Sequence, residues 1–129
     1  MMLKQFFVAL LLTLIAQQAH AFLSTEKTLN WLDKEGQEAA AARMYLSGMA
    51  EAFWMGSLAA QTMGKQAVIC FPENQNLQTE ELRLMAVLSL KKALNNFELN
   101  KDVKGKITFL NNPVSLSLQM VWQFEFPCD

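Results

Sequence analysis

The clearest apolar rhythm in this chain lies between Glu38 and Met63. Ala42, Tyr45, Leu46, Met49, Phe53 and Met63 recur at helical spacing on one face, and no proline interrupts them. The segment opens on Ala39–Ala42, a run of the residue with the highest helix propensity. Around Ala52–Ala60 the opposite face turns apolar as well, through Trp54, Met55 and Leu58. That pattern predicts a helix buried on most sides, or one paired with another subunit. Gly48, Ala52, Gly56 and Ala60 fall four apart and form a stripe almost without side chain, suited to a tight helix crossing within one domain. A shorter helix precedes this one. Ser24 or Thr25 caps it, Leu29 and Leu32 are its buried positions with Trp31 beside them, and Gly36 ends it just after Glu35.

Gly64–Gln78 breaks the rhythm and reads as a linker carrying Cys70, Phe71 and Pro72. Thr79 then caps a second long helix, with Glu80 and Glu81 in its favourable first turn. Leu84, Leu88, Leu94 and Phe97 make its apolar face, and Lys91 and Lys92 sit near its C-terminal end. Asn95–Asn112 is polar and asparagine-rich, contains Gly105, and reads as a long connection interrupted by Ile107–Leu110.

The last segment supports two assignments. Val114, Leu116, Leu118, Met120, Trp122, Phe124 and Phe126 alternate with other residues, which is the strand signal. With Lys106–Leu110 and the Asn111-Asn112-Pro113 break, that signal describes a β-hairpin over 106–124. Asn112 followed by Pro113 is equally a good cap and first-turn pair for a helix. The pattern alone leaves both open.

The N-terminus changes the picture from fold to destination. Lys4 is followed by the apolar run Phe6–Ala16 and then by Gln17-Gln18-Ala19-His20-Ala21. A basic start, a short apolar middle and a small-x-small end compose a secretory signal peptide, residues 1–21, cut after Ala21. The apolar run is too short to cross a bilayer, which takes roughly 20 residues. No cysteine near the cut offers a lipid acceptor. The expected product is one exported domain, 22–129, with no membrane span and a periplasmic location. The cut removes His20, the only histidine. The remaining chain lacks the commonest neutral-pH general base and metal ligand, so catalytic residues, a metal site and cofactors are not expected, nor is an enzyme.

Without Lys4, the 11 basic and 12 acidic residues of the whole chain become 10 and 12, a net charge of −2. A nucleic-acid partner is not expected from that balance, since it calls for a clustered basic face. Charge is nevertheless uneven. From Phe22 to Glu81 there are eight acids and four bases, whereas Lys91–Lys106 holds five lysines against Glu98 and Asp102. That basic stretch is either a solvated loop and helix end or a steering patch for an acidic surface.

The two cysteines, Cys70 and Cys128, form an even count in a chain bound for an oxidising compartment, which argues for one disulfide. Closing so long a loop is worth about 4 kcal/mol in the chain-entropy account.

Placed in order, these pieces resemble the Rap/Tai family of small exported proteins, immunity proteins against type VI secretion amidase effectors. Tyr45-Leu46-Ser47-Gly48-Met49-Ala50-Glu51-Ala52 is similar to the family's Tyr-x-x-Gly-x-x-Asp/Glu-Ala stretch, and Cys70-Phe71-Pro72-Glu73 to its Cys-x-Pro-Glu. An acidic helix start follows at Leu77–Leu82, and Phe126-Pro127-Cys128 matches the family's terminal Phe-Pro-Cys. The residues carrying the likeness and the small-residue stripe are Tyr45, Gly48, Ala52, Gly56, Pro72 and Pro127. Two departures stand out. Many members have two further cysteines, where this chain reads Trp31-Leu32-Asp33 and Ala41-Ala42-Arg43-Met44, and Asn95–Asn112 is longer and more polar than the usual connection.

The resemblance implies an all-α, disulfide-linked fold, which tips Val114–Phe124 toward helix. It also implies a partner, a cell-wall amidase whose active site the protein occludes, and a homodimer built on the apolar stripe of the long helix. The candidate contact element is the polar stretch Asn100–Asn112, through Asn100, Lys101, Asp102, Lys104, Lys106, Asn111 and Asn112. The alternative is a small exported chaperone that exposes apolar surface when acid protonates its carboxylates. An enzyme working through carboxylate pairs comes last, because no spacing sets two at a shared site.

Overall fold

A computed structural model describes residues 22–72 and 76–129. The expected signal peptide, its expected cut after Ala21 and Glu73 of the Cys-x-Pro-Glu match lie outside the described residues. Among the described residues five helices follow one another: α1 Thr25–Leu32, α2 Gln37–Thr62, α3 Thr79–Leu99, α4 Val103–Asn111 and α5 Val114–Glu125. Among the described residues there is no strand, only an isolated bridge between Ser24 and Pro113. The fold is all-α and disulfide-linked, and no described helix is long and apolar enough to cross a membrane.

Ser24 caps α1, its hydroxyl accepting the Lys27 N–H at 3.2 Å. The helix stops at Leu32, three residues before the expected end, and Gly36 caps the start of α2 instead of closing α1. Its φ of 88° and ψ of −150° belong to a region that only glycine occupies without strain. Along α2 the buried positions are Ala39, Ala42, Leu46, Ala50, Trp54 and Ser57, a single stripe three and four apart. Met63 lies beyond its end and is exposed. Gly64, at φ 64°, ends the helix through paired bonds, Lys65 N–H to Ala60 O at 2.8 Å and Gly64 N–H to Gln61 O at 3.0 Å. This is the double bond pattern of a glycine-terminated helix.

The expected tight crossing on the small-residue stripe is not there. Gly48, Ala52 and Gly56 are exposed, and a Cβ added at Gly48 or Gly56 would meet nothing within 4 Å. The helix instead packs by the row Ala39, Ala42, Leu46, Ala50 and Trp54 on a largely opposite side, because those side chains have apolar area to bury.

At α3 the cap is Gln78 rather than Thr79. The Glu81 carboxylate accepts the Gln78 N–H at 2.8 Å, and the Thr79 hydroxyl bonds the Glu51 carboxylate on α2. Leu82, Ala86 and Leu90 are buried, whereas Leu84 and Leu88 of the expected apolar face are exposed.

The C-terminal ambiguity resolves to helix. Val114, Leu118 and Trp122 are fully buried, while Leu116, Met120 and Phe124 face out. An alternating run contains two rows four residues apart. The helix buries one row and exposes the other. Pro113 stands at the cap position, one residue later than expected.

Trp122 sits at the centre of the core. Its ring meets Phe71 at 5.1 Å and Phe53 at 6.1 Å, both edge-on. Phe71 in turn contacts Trp54 at 5.3 Å and Phe126 at 5.0 Å. The linker is thus drawn inward by one aromatic side chain. Cys70 and Cys128 are bonded beside it, with Cα atoms 5.1 Å apart, and the Cys70 N–H donates to Phe126 O at 3.0 Å. At the other end, the Thr25 N–H donates to Asn112 O at 2.9 Å and its hydroxyl to Ser117 Oγ at 2.8 Å. These bonds dock α1 against the α4–α5 junction.

Candidate functional site

The polar stretch after α3 is not a loop. Most of it is α4, joined to α3 by a three-residue corner. Asn100 ends α3, its side chain donating to Asn96 O at 2.9 Å. Lys101 takes a left-handed φ of 54°, which reverses the chain direction. Asp102 then caps α4, its carboxylate accepting the Gly105 N–H at 2.9 Å. Two contacts convert the expected connection into a packed helix. Phe97 and Phe109 meet at 5.5 Å, and Lys106 pairs with Glu98 at 2.7 Å. Gly105 has no side chain for a reason of space: a Cβ there would come within 2.2 Å of an Asp102 carboxylate oxygen and 2.8 Å of the Phe97 ring.

The seven candidate contact residues therefore divide. Asn100, Lys101, Asp102 and Lys104 share the exposed α3–α4 corner. Lys106 lies one turn on and is half-buried in its ion pair. Asn111 and Asn112 end the helix, which spans roughly 13 Å, and the Asn112 carbonyl is committed to α1. Among the described residues, no carboxylate lies within ion-pair distance of Lys101 or Lys104.

Next to this corner is a cavity of about 350 Å³ between α3, α4 and α5, to which Asn100 and Asp102 contribute. Its apolar lining is Phe97, Phe109 and Val121 together with the exposed Met120 and Phe124, and Lys92, Asn96 and Glu125 also line it. Ser89 closes one end. Its hydroxyl donates to Glu125 at 2.6 Å and accepts the Trp122 indole N–H at 3.1 Å, and Lys92 stands 3.5 Å from the other Glu125 oxygen. That chain of bonds commits the hydroxyl and carboxylate to holding α3 against α5. It was not legible beforehand, although a serine inside an apolar helix face is a sign of a buried polar partner.

The remaining motif residues serve structure in different places. Tyr45 packs half-buried against the core, and Pro72 and Pro127 flank the bonded cysteines in exposed positions. A second cavity, of about 260 Å³, lies over Ala52, Gly56 and Ala60, walled by Gln66–Ile69. Among the described residues, no group of three or more histidine, cysteine, aspartate or glutamate side chains is arranged to hold a metal ion. No family model, curated protein or solved structure matches this chain.

Proposed function

We propose that this chain is an exported, periplasmic immunity-type protein that binds a type VI secretion peptidoglycan amidase and occludes its active site. The α3–α4 corner carries the reading. It projects two lysines without a carboxylate partner among the described residues, an asparagine and an aspartate from a left-handed turn, backed by packed helices. A polar projection already held in shape loses little freedom on entering a cleft, which favours tight occlusion. The amidase as partner comes from the sequence resemblance. The act requires binding and no turnover. The open Gly48–Ala52–Gly56 face of α2 is where a second copy would sit in a homodimer.

The test is capture with tagged protein from periplasmic extract at neutral pH, followed by peptidoglycan-amidase assay of what is recovered. One stoichiometric partner whose amidase activity the protein inhibits, with inhibition lost in Lys101→Glu, supports the proposal. Absence of inhibition at saturating protein overturns it.

The second reading, an acid-activated chaperone, is favoured by one observation: Leu84, Leu88, Met120 and Phe124 are exposed along α3 and α5. Broad capture appearing only near about pH 3, with suppressed aggregation of unrelated proteins, would select it.

A further inference from the structure

Leu23–Thr25 is tied down across the α4–α5 junction. The Leu23 carbonyl accepts the Val114 N–H at 2.9 Å, Ser24 and Pro113 form an antiparallel bridge, and the Thr25 N–H donates to Asn112 O at 2.9 Å. The Thr25 hydroxyl adds bonds to Asn112 O at 3.1 Å and to Ser117 Oγ at 2.8 Å. Thr25 is fully buried, whereas Phe22, which would follow the expected cut, is 68% exposed. A peptidase holds its substrate as extended backbone on both sides of the bond it cuts. Here the second residue past that bond already has its carbonyl committed inside the fold, and Phe22 alone spans only about 3.5 Å. On the other side, Gln17–Ala21 reaches at most about 17 Å from the apolar run. That is little more than the radius of gyration of a domain this size, about 13 Å.

We infer that the fold times its own maturation: a membrane signal peptidase cuts Ala21–Phe22 before Asn112–Ser117 docks on Leu23–Thr25, and that docking closes the site. The cut is hydrolysis of one amide, water leaving a carboxylate on Ala21 and an ammonium on Phe22. The inference rests on the exported reading of the proposed function and adds an order of events to it. Sequence separation sets that order. The two partners of the Thr25 hydroxyl lie 87 and 92 residues further along the chain. In a chain exported N-terminus first they cross last, so the bond stays open to the peptidase until the final helix arrives. Chains cut in that interval become the free domain. A chain that folds first keeps its apolar leader and stays on the membrane.

The test incubates the oxidised, folded full-length chain with purified bacterial signal peptidase in detergent micelles and follows the new N-terminus by mass spectrometry. The unfolded comparison is the full-length double variant Leu46→Asp, Trp122→Asp, which charges two fully buried positions and is checked to be unfolded by circular dichroism. The folded chain is expected to be cut at least about tenfold more slowly, since a docked segment is cleaved only when it opens. A Gly-Ser spacer of about six residues between Ala21 and Phe22, adding roughly 13 Å of reach, is expected to restore cleavage of the folded chain. Thr25→Val, which removes the hydroxyl bonds and keeps the shape, is expected to speed it severalfold with helical circular dichroism retained. Equal rates for the folded and unfolded chains overturn the inference and leave the exported reading standing. A folded spacer chain that stays uncut also overturns it, because docking is then not what protects the bond. An unfolded chain left uncut after Ala21 overturns the exported reading itself, and this inference with it.

Discussion

Trp122 and Ser89 are joined by a 3.1 Å hydrogen bond in the middle of the molecule, the indole N–H donating to the hydroxyl. Both side chains are almost wholly buried, and the same hydroxyl passes its own proton toward Glu125 on α5. Ser89→Ala removes acceptor and donor at once and leaves the indole N–H unpaired. Leaving such a group unsatisfied costs about 1–3 kcal/mol. Urea unfolding followed by tryptophan emission measures it. A change under half a kcal/mol, on the order of a surface substitution, would contradict this role.

The disulfide holds the linker that brings Phe71 into the core. Cys70→Ser with Cys128→Ser is expected to lower stability by about 2–5 kcal/mol. Thermal unfolding of oxidised protein against the double variant reads that loss directly. Because Phe71 makes its own aromatic contacts, the variant should remain helical at low temperature.

Three glycines on helices should respond in opposite directions. Gly105→Ala places a methyl against Asp102 and Phe97 and should destabilise by about 1–3 kcal/mol. Gly48→Ala and Gly56→Ala meet open space within one chain, so each should stabilise the monomer by about 0.5–1 kcal/mol through helix propensity. Denaturant midpoints of the three single variants make the comparison. Destabilisation by Gly56→Ala would mean that this face is covered in solution.

Lys101 separates conformation from charge at the corner. Lys101→Gly keeps the left-handed turn, relieves its steric cost of roughly 1–2 kcal/mol, and removes one cation. Stability should rise while affinity for the captured partner falls. Lys101→Ala keeps a Cβ at the same φ, so it should lower the affinity alone and change stability by less than about 0.5 kcal/mol. Unfolding and binding titrations of the two variants side by side decide it.

Much of the fold was legible because it depends on local chemistry. The alanine-rich run, the absence of proline and the linker opening at Gly64 set α2 within a residue at each end. Glu80 and Glu81 placed the start of α3 equally well. Cys70 and Cys128 had only each other to bond within this chain. Gly36 was read at the wrong end of its turn, since a glycine between two helices suits the end of one and the start of the next alike. Of the candidate contact stretch, the exposed corner at Asn100–Lys104 was legible from its charge, whereas the cavity beside it was not.

What the sequence determined by itself is therefore the presence of α1, α2 and α3, the pairing of the cysteines and the polar character of the α3–α4 corner. All three follow from residues near in sequence or from a pairing with no competitor. The tertiary structure decided which rows are buried. Val114, Leu118 and Trp122 go inside while Leu116, Met120 and Phe124 stay outside, although both rows are equally apolar in sequence. Phe97 and Phe109 turned an expected connection into α4. Burial depends on which face meets a neighbouring element, and that neighbour lies far along the chain, where periodicity carries no information.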